Sequence, residues 1–390
     1  MPGLQAAVAS NTQALVQRNI VAGAMRVSQQ HTAAAVVFSP CGQLFAWLER
    51  VKDKATLKVE NRRTGQQVFS RPLPRPGKRR AARDRYDRLR SICWRHDSRW
   101  LTLTCVRGVF AADMVSGAMQ RLSCPAGSGS EGCMWAPTAD VLAVAQNPSG
   151  SQSLLSLYQI SGTELHMAQQ MARDRIRRVV WAANSQALAV QGSYGVCIIN
   201  SGSQDQLQVS VPGSDGKSII AWSPKTWDDP VLLCIGCSGE ASFVDCGAVL
   251  KGRCEIPLQG EHVGPRHVIW GKHGVVVLTE YRLWLCNVCS GSSRLVLEPR
   301  LQLFTPSVHS LVLSPDQVHL CMVQVTPVGS GNYTRRLVLL NVMSGCQALV
   351  PLPEHLTNDY RPSWTSRGSS LIVPLVIGKS FSYKIFNFVL

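Results

Sequence analysis

The residues with the clearest chemical potential are four cysteines in two Cys-x-x-Cys pairs. Cys234 and Cys237 form one pair, and Cys286 and Cys289 form the other. Four thiolates in two such pairs are a pattern that can bind zinc. Each pair overlaps an apolar, strand-like run, however, and residues i and i+3 of a strand point to opposite faces. We therefore expect buried thiols here, and predict neither a metal nor a cofactor.

Other motifs with catalytic potential are incomplete. Residues 213–218, Gly-Ser-Asp-Gly-Lys-Ser, resemble the end of a phosphate-binding loop, but Val211 stands where the motif needs its first glycine. The nine histidines fall in turns and loops without ligand spacing, and no Gly-x-Ser-x-Gly elbow or acid pair is found. No catalytic residue is predicted and the protein is expected not to be an enzyme. A site assembled from distant segments stays open as an alternative.

The rest of the chain is built from one repeated unit. In the first copy, an apolar run ends at Phe38-Ser39-Pro40, a turn and a second apolar run follow, and a third run closes on Asn61 and Gly65. The residue that ends the first run, here called the anchor, recurs every 41 to 56 residues. The anchors are Phe38, Trp94, Trp135, Trp181, Trp222, Trp270, Leu313 and Trp364. Strands separated by turns at a period in the forties are typical of propeller blades.

This pattern resembles WD-repeat β-propeller proteins over nearly the whole chain. It departs from them because no copy ends its third strand in Trp-Asp, and the Gly-His dipeptide is absent. The resemblance implies one all-β propeller domain over residues 1–390. Eight four-stranded blades are predicted, with seven as the alternative. The last copy lacks a fourth strand, and the N-terminal residues 13–27 are expected to supply it and close the ring.

The cysteines and the apolar pattern limit the cellular compartments in which the protein is expected. The chain has 14 cysteines, no apolar run long enough to span a membrane and no evident secretory signal. Reduced thiols in the cytoplasm or nucleus are therefore expected. A mitochondrial location stays open, because no acidic residue precedes Glu49.

The positive charge is concentrated in one segment. The net charge is +16, and residues 71–90 hold nine basic residues against Asp84 and Asp87. This stretch, taken as residues 71–91, is predicted to be a loop insertion between blades one and two. A charge of this kind bears on partners rather than on the fold.

Several basic segments are expected on one face of the propeller, where the B–C and D–A loops emerge. The candidate partner-binding residues are Arg50, Lys52, Lys54, Arg75, Lys78, Arg79, Arg80, Arg83, Arg85, Arg88, Arg90, Arg173, Arg175, Arg177, Arg178, Arg335 and Arg336. The alternative is a set of solvated loops without a partner.

The function these observations favour is a non-catalytic interaction scaffold. The resemblance to WD-repeat proteins implies scaffolding, and the basic face predicts acidic protein or ribonucleoprotein partners, with the protein acting as one subunit of a larger complex and away from membranes. Direct RNA binding by a translation-associated propeller is the second hypothesis, because a basic face attracts phosphate. A propeller enzyme with a site in the central channel is the third.

Overall fold

The computed structural model describes most of the chain from Thr32 onward as strands and turns. The described residues are 32–51, 54–74, 89–105, 108–122, 129–147, 152–193, 195–201, 206–209, 218–224, 229–256, 267–279, 283–286, 293–297, 307–327, 333–344, 347–352, 362–364, 370–377 and 380–387. Within these ranges there is no helix, as the all-β prediction requires. No helix that could cross a membrane is found in the same ranges.

The chain divides into two compact units, of which Ala33–Arg253 is one. Its sheets follow each other along the chain, and each contains four strands in sequence order. Sheet 1 is β1 (Thr32–Phe38), β2 (Leu44–Val51), β3 (Lys54–Asn61) and β4 (Gln67–Pro72). Sheet 2 is β5 (Leu89–Trp94), β6 (Trp100–Cys105), β7 (Gly108–Asp113) and β8 (Met119–Leu122). Sheet 3 is β9 (Gly129–Trp135), β10 (Val141–Asn147), β11 (Gln152–Ser161) and β12 (Glu164–Asp174).

Two more sheets complete this unit, and its boundary falls inside the last strand. Sheet 4 is β13 (Arg178–Trp181), β14 (Ala187–Gln191), β15 (Val196–Asn200) and β16 (Gln206–Val209). Sheet 5 is β17 (Ile219–Trp222), β18 (Val231–Ile235), β19 (Glu240–Asp245) and β20 (Leu250–Glu255). We call the four strands of each sheet A to D in chain order.

The second unit, described from Cys254 onward, contains three sheets. Sheet 6 is β21 (His267–Gly271), β22 (Gly274–Leu278), β23 (Leu283–Cys286) and β24 (Ser293–Leu297). Sheet 7 is β25 (Ser307–Leu313), β26 (His319–Pro327), β27 (Tyr333–Asn341) and β28 (Gln347–Leu352). Sheet 8 has three described strands, β29 (Ser363–Trp364), β30 (Ser370–Ile377) and β31 (Ser380–Asn387). Residues 13–27, expected to add a fourth, lie outside the described residues.

The predicted anchors end the A strands. In seven sheets strand A stops at the anchor itself, and in sheet 6 it continues one residue past Trp270. After the anchor, the serine of each Ser-Pro dipeptide shapes the A–B turn. The Ser39 Oγ accepts a hydrogen bond from the Leu44 N–H at 3.0 Å, and Ser314 does the same for His319 at 2.9 Å. These buried hydroxyls explain why serine recurs there, since a turn N–H needs a partner.

The C–D turns use the side chain that ends strand C. Asn61 Oδ1 accepts the Arg63 N–H at 2.9 Å, and Asp113 Oδ1 accepts the Val115 N–H at 3.0 Å. These are Asx turns, and the glycines that follow these two adopt positive φ, as expected. In sheet 5, Ala248, with φ of 63°, takes the left-handed position rather than the neighbouring Gly247.

The hydrophobic core lies between adjacent sheets. Residues of sheets 4 and 5 share one cluster in which Ile198, Trp222 and Leu232 are buried, and sheets 3 and 4 share another around Leu155 and Leu188. The anchors Trp94, Trp135, Trp181 and Trp222 are each buried in a cluster that two neighbouring sheets share. Each sheet alone is too thin to exclude water from both faces, so the stacking of neighbours provides the core.

The anchor tryptophans also hydrogen-bond across the sheet boundaries. Each of four indole N–H groups donates to the backbone carbonyl one residue before the preceding sheet's anchor. The bonds are Trp94 to Val37 at 3.2 Å, Trp181 to Met134 at 3.2 Å, Trp222 to Val180 at 2.9 Å and Trp364 to Val312 at 3.2 Å. Because successive A strands are held at equivalent ends, neighbouring sheets joined in this way point in the same direction.

A second set of bonds joins the A–B turns of neighbouring sheets. The residue four places after the anchor has positive φ in several sheets, and its side chain reaches back to the preceding turn. Ser185 Oγ accepts the Thr138 N–H at 2.8 Å, and Ser98 Oγ accepts the Cys41 N–H at 3.1 Å. Hydrogen bonds therefore link the A–B turns of these neighbouring sheets.

Candidate interaction surface

Each sheet has two ends that differ in their connections. We call the end with the A–B and C–D turns the A–B edge, and the end with the B–C turn and the D–A connection the D–A edge. In sheet 1, Arg50 pairs with Ala55 and Val51 pairs with Lys54, so Arg50 and Lys54 lie at the D–A edge. Lys54 is exposed there.

The connection between sheets 3 and 4 places two arginines at the D–A edge of the same unit. Arg175 and Arg177 are both exposed, whereas Ile176 between them is only 1% exposed and packs in the core shared by the two sheets. The Ile176 N–H donates to Ser153 Oγ at 3.0 Å, and the Arg177 N–H donates to the Gln191 carbonyl at 2.9 Å. The backbone is thus held on both sides while the two arginine side chains are exposed.

The neighbouring arginines are more involved in packing. Arg173 pairs with Ser153 in sheet 3 and is half-buried, and its Nη2 lies 3.5 Å from the Cys197 Sγ of sheet 4. Burial raises the pKa of that thiol, and the nearby guanidinium opposes the effect. Arg178, also half-buried, begins β13 opposite Gln191. Arg173 and Arg178 therefore contribute to the packing between sheets 3 and 4 as well as to the positive charge there.

In the second unit, Arg335 and Arg336 occupy the same kind of position. They pair with Leu352 and Pro351 at the end of strand D of sheet 7, which is its D–A edge. Arg336 is exposed. The structure therefore puts these two residues at the type of edge that the sequence analysis expected.

The predicted basic insertion is only described at its ends. Arg71 and Pro72 belong to β4 and Leu89 and Arg90 belong to β5, so the segment between the strands is shorter than the predicted 71–91. The remaining candidates lie outside the described residues. These are Lys52, Arg75, Lys78, Arg79, Arg80, Arg83, Arg85 and Arg88.

At the A–B edge, Arg99 and Arg95 are each paired with a carboxylate. Arg99 Nε and Nη2 donate to Asp113 at 3.0 and 2.9 Å, and the fully buried Asp113 carboxylate also accepts a hydrogen bond from Ser116. The Arg99 hydrogen bonds lower the pKa of Asp113 to about 2, because they favour its charged form. Arg95 pairs with Asp140 of the next sheet.

The cysteines are not arranged for metal binding in the described part of the chain. No group of three or more candidate ligands is found there. Cys234 is buried in β18, Cys237 lies in the exposed turn that follows, and Cys289 falls outside the described residues. Burial raises the pKa of Cys234 and of Cys286 to about 12, which disfavours the thiolate form that binds metals.

Sequence reasoning missed the residues that fix these edges. Ser153 and Gln191 hold the Arg175–Arg177 connection, and Ser98 and Ser185 link the A–B turns. A signal existed for the last two, since both serines stand four residues after an anchor. Nothing in the local sequence marks Ser153 or Gln191, because their partners belong to another segment of the chain.

Comparison with known proteins identifies the fold. No family model and no curated protein sequence matches this chain. Among solved structures, the C-terminal WD40 domain of Sif2 matches with a TM-score of 0.65 at 11% identity, over 94% of this chain and 98% of that one. Saccharomyces cerevisiae Sqt1 matches with a TM-score of 0.62 at 12% identity, over 93% and 98%. The fold is that of a divergent WD40-type β-propeller, which confirms the resemblance noted in the sequence.

One similar structure is that of an enzyme. The dihydro-heme d1 dehydrogenase NirN, in complex with DHE, matches with a TM-score of 0.56 at 12% identity, over 82% of this chain and 66% of that one. At this identity the likeness concerns the fold alone.

Proposed function

We propose that this protein is a non-catalytic interaction scaffold that binds an acidic protein or ribonucleoprotein surface at its D–A edges. The observation that carries the proposal is the Arg175–Ile176–Arg177 connection. Two exposed arginines flank a buried isoleucine, and hydrogen bonds fix the backbone on both sides. A backbone that is already ordered loses little entropy on binding, so more of the contact energy remains as affinity.

The chemistry of arginine fits such partners. Its planar guanidinium forms paired hydrogen bonds with carboxylates and with phosphates. Lys54 and Arg336 carry the same charge at the D–A edges of their own sheets, and the sequence between β4 and β5 is rich in arginine. The WD40-type fold supports this reading, since propellers present loops on a stable framework.

The test compares two double variants that remove equal charge. Arg175→Gln/Arg177→Gln alters the D–A edge, and Arg62→Gln/Arg63→Gln alters a C–D turn at the A–B edge of the same unit. Binding to an acidic polyglutamate peptide and to a single-stranded RNA oligonucleotide is measured by fluorescence anisotropy over a salt series. The first variant should bind more weakly with a flatter salt dependence, and the second should bind like the parent.

The two probes separate the classes of partner. For RNA, each lost phosphate contact should reduce the slope of log affinity against log salt by about 0.7. For an acidic protein surface, the association rate should fall more than the dissociation rate rises. Equal binding by both variants and the parent would refute the proposal, and RNA binding without peptide binding would favour the RNA hypothesis.

We further propose that the eight sheets are eight blades, and that residues 13–27 complete sheet 8 as its outer strand. Sheet 8 has three described strands where the others have four, which leaves β31 as an edge strand among the described residues. Deleting residues 1–28 should lower the melting temperature or cause aggregation. An unchanged melting curve and an unchanged monomer peak after this deletion would contradict the closure.

A further inference from the structure

The boundary between sheets 2 and 3 differs from four others that the structure describes. At those four boundaries an anchor indole donates to the carbonyl before the preceding anchor. The equivalent donor here is Trp135, yet its Nε1 has no hydrogen-bond partner among the described residues. Its ring lies 6.5 Å from that of Trp100 instead.

Two cysteines meet at this same boundary. Cys93, one residue before its anchor in β5, and Cys133, two residues before its anchor in β9, have their Sγ atoms 3.0 Å apart. A disulfide bond is about 2.05 Å long, so bond formation requires the sulfurs to approach by about 1 Å. Both residues are half-buried at the margin of the cluster that joins the two sheets.

The equivalent positions at three other boundaries are aliphatic. Val37 and Ile92 share the cluster of sheets 1 and 2, Val180 and Ile220 share that of sheets 4 and 5, and Ile269 and Leu311 share that of sheets 6 and 7. Packing alone is therefore satisfied by valine, isoleucine or leucine at these sites. The cysteine pair occurs at the boundary where Trp135 makes no indole–carbonyl bond.

We propose that Cys93 and Cys133 are an oxidation site that forms a disulfide between sheets 2 and 3 on exposure to a peroxide. The Cys133 thiolate attacks one peroxide oxygen and becomes a sulfenic acid, and the hydroxide released takes up the proton that Cys133 lost. The Cys93 sulfur then attacks the Cys133 sulfur, and water leaves with the Cys93 proton. Two thiols and one hydrogen peroxide thus give one disulfide and two waters.

The environment of Cys93 indicates that Cys133 reacts with the peroxide first and Cys93 attacks second. The contact with Cys133 and burial raise the pKa of the Cys93 thiol well above its usual value, so Cys93 remains protonated until the second step. The Ser91 Oγ lies 3.4 Å from the Cys133 Sγ and 2.7 Å from the Thr104 Oγ1. The Ser91 hydroxyl also accepts a hydrogen bond from the Cys133 N–H at 3.3 Å. Its contacts hold the Cys133 sulfur beside Cys93, which makes Ser91 a positioning residue.

The experiment maps disulfides in the full chain after treatment with hydrogen peroxide. Free thiols are alkylated, the protein is digested without reduction, and the peptides are identified by mass spectrometry. We expect one linked pair, containing Cys93 and Cys133, that disappears on reduction. The oxidised protein should melt a few degrees higher than the reduced protein, because the cross-link restricts the unfolded chain.

The variants provide the controls. Cys41→Ser removes an exposed thiol elsewhere and should leave the cross-link and the melting shift intact. Cys93→Ser should abolish both. Ser91→Ala should slow cross-link formation several-fold at pH 7 without changing its final extent, because it removes the contacts that position Cys133.

Clear outcomes would overturn the proposal. The proposal would be wrong if Cys93 and Cys133 were still fully alkylated after other thiols had been oxidised. It would also be wrong if the peptide map showed either residue in a disulfide with a different cysteine. This peptide map of the parent protein decides the matter even if a cysteine variant fails to fold. An unchanged rate in Ser91→Ala would remove the role given to Ser91.

Discussion

The A–B and D–A edges of the sheets use the same residue types for different purposes. At the A–B edge, Arg99 is bound by the buried Asp113 and Arg95 by Asp140 of the next sheet. At the D–A edge, Arg175 and Arg177 are exposed on a backbone that hydrogen bonds hold in place. In the first arrangement the ion pairs join strands and sheets, and in the second the two arginine side chains are exposed.

The ion pairs illustrate the same division. Among the described residues, four pairs of arginine or lysine with a carboxylate lie at the A–B edges of their sheets, whereas Lys58–Glu49 joins β3 to β2. The indole–carbonyl bonds and the serine bonds between turns also lie at the A–B edge. Substitutions at the A–B edge should therefore affect stability most, and those at the D–A edge should affect binding.

The largest effect is expected for Trp222→Ala. This side chain is buried between sheets 4 and 5, and its indole donates to the Val180 carbonyl at 2.9 Å. Its loss should cost about 3–5 kcal/mol, because a large cavity is created. Urea denaturation measures the change. Trp222→Phe keeps most of the ring and should cost less, whereas parent-like unfolding of the alanine variant would show that the anchor is not structural.

Asp113→Asn should have the next largest effect. Because its pKa is held at about 2, below the ordinary value of 3.8, the ionised carboxylate stabilises the folded state above pH 3.8. That contribution is lost as the pH falls from 3.8 toward 2. At pH 7 the variant should lose about 1–2 kcal/mol, reduced by the partial exposure of Arg99.

The pH dependence supplies the control for this variant. Denaturation of the parent and of Asp113→Asn should be compared at pH 7, 5 and 3. The difference between them should narrow as the pH falls through the window below 3.8. A constant difference across the series would mean that the charge of Asp113 contributes nothing.

Ser185→Ala should have a smaller effect, about 1 kcal/mol. The substitution leaves the Thr138 N–H without its acceptor, which lies at 2.8 Å in the parent. Thermal denaturation monitored by circular dichroism measures the loss. Ser161→Ala, at an exposed serine in β11, is the control and should change nothing. Equal melting temperatures for the two variants would argue against the role of the turn-to-turn bonds.

The smallest effect on stability is expected in the basic segment between β4 and β5. Changing Arg79, Arg80, Arg83 and Arg85 to Gln should alter the free energy of unfolding by no more than about 0.5 kcal/mol per site. Binding to an acidic partner or to RNA should weaken, and its salt dependence should flatten. Retained binding with the parent's salt dependence would make this segment a solvated loop without a partner.

Much of this architecture was predictable because its signals are local. The alternation of apolar residues sets each strand, and the anchor, the Ser-Pro dipeptide and the Asx residue mark where strands end. Each of these signals acts over a short stretch of the chain. The A strands accordingly end at or beside the predicted anchors, and Ser39 and Asn61 form the turn bonds that their types favour.

The positions of charges along the chain were also predictable, and the topology assigned them to edges. In an antiparallel sheet the B–C turn and the end of strand D must lie together. Arg175, Arg177 and Arg336 therefore fall at the D–A edges of their sheets, as expected.

Tertiary structure alone decided which residues of different segments meet. Three contacts join residues separated by 23 to 47 positions. They are the Cys93–Cys133 contact, the Ser185–Thr138 hydrogen bond and the Ser153–Ile176 hydrogen bond. Their partners are selected by how neighbouring strands and sheets pack, and packing depends on the volumes of many side chains at once. By itself, the sequence determined the repeated strands, the turns and the charge. Packing determined which arginines are neutralised, which remain exposed, and which two thiols lie within reach of each other.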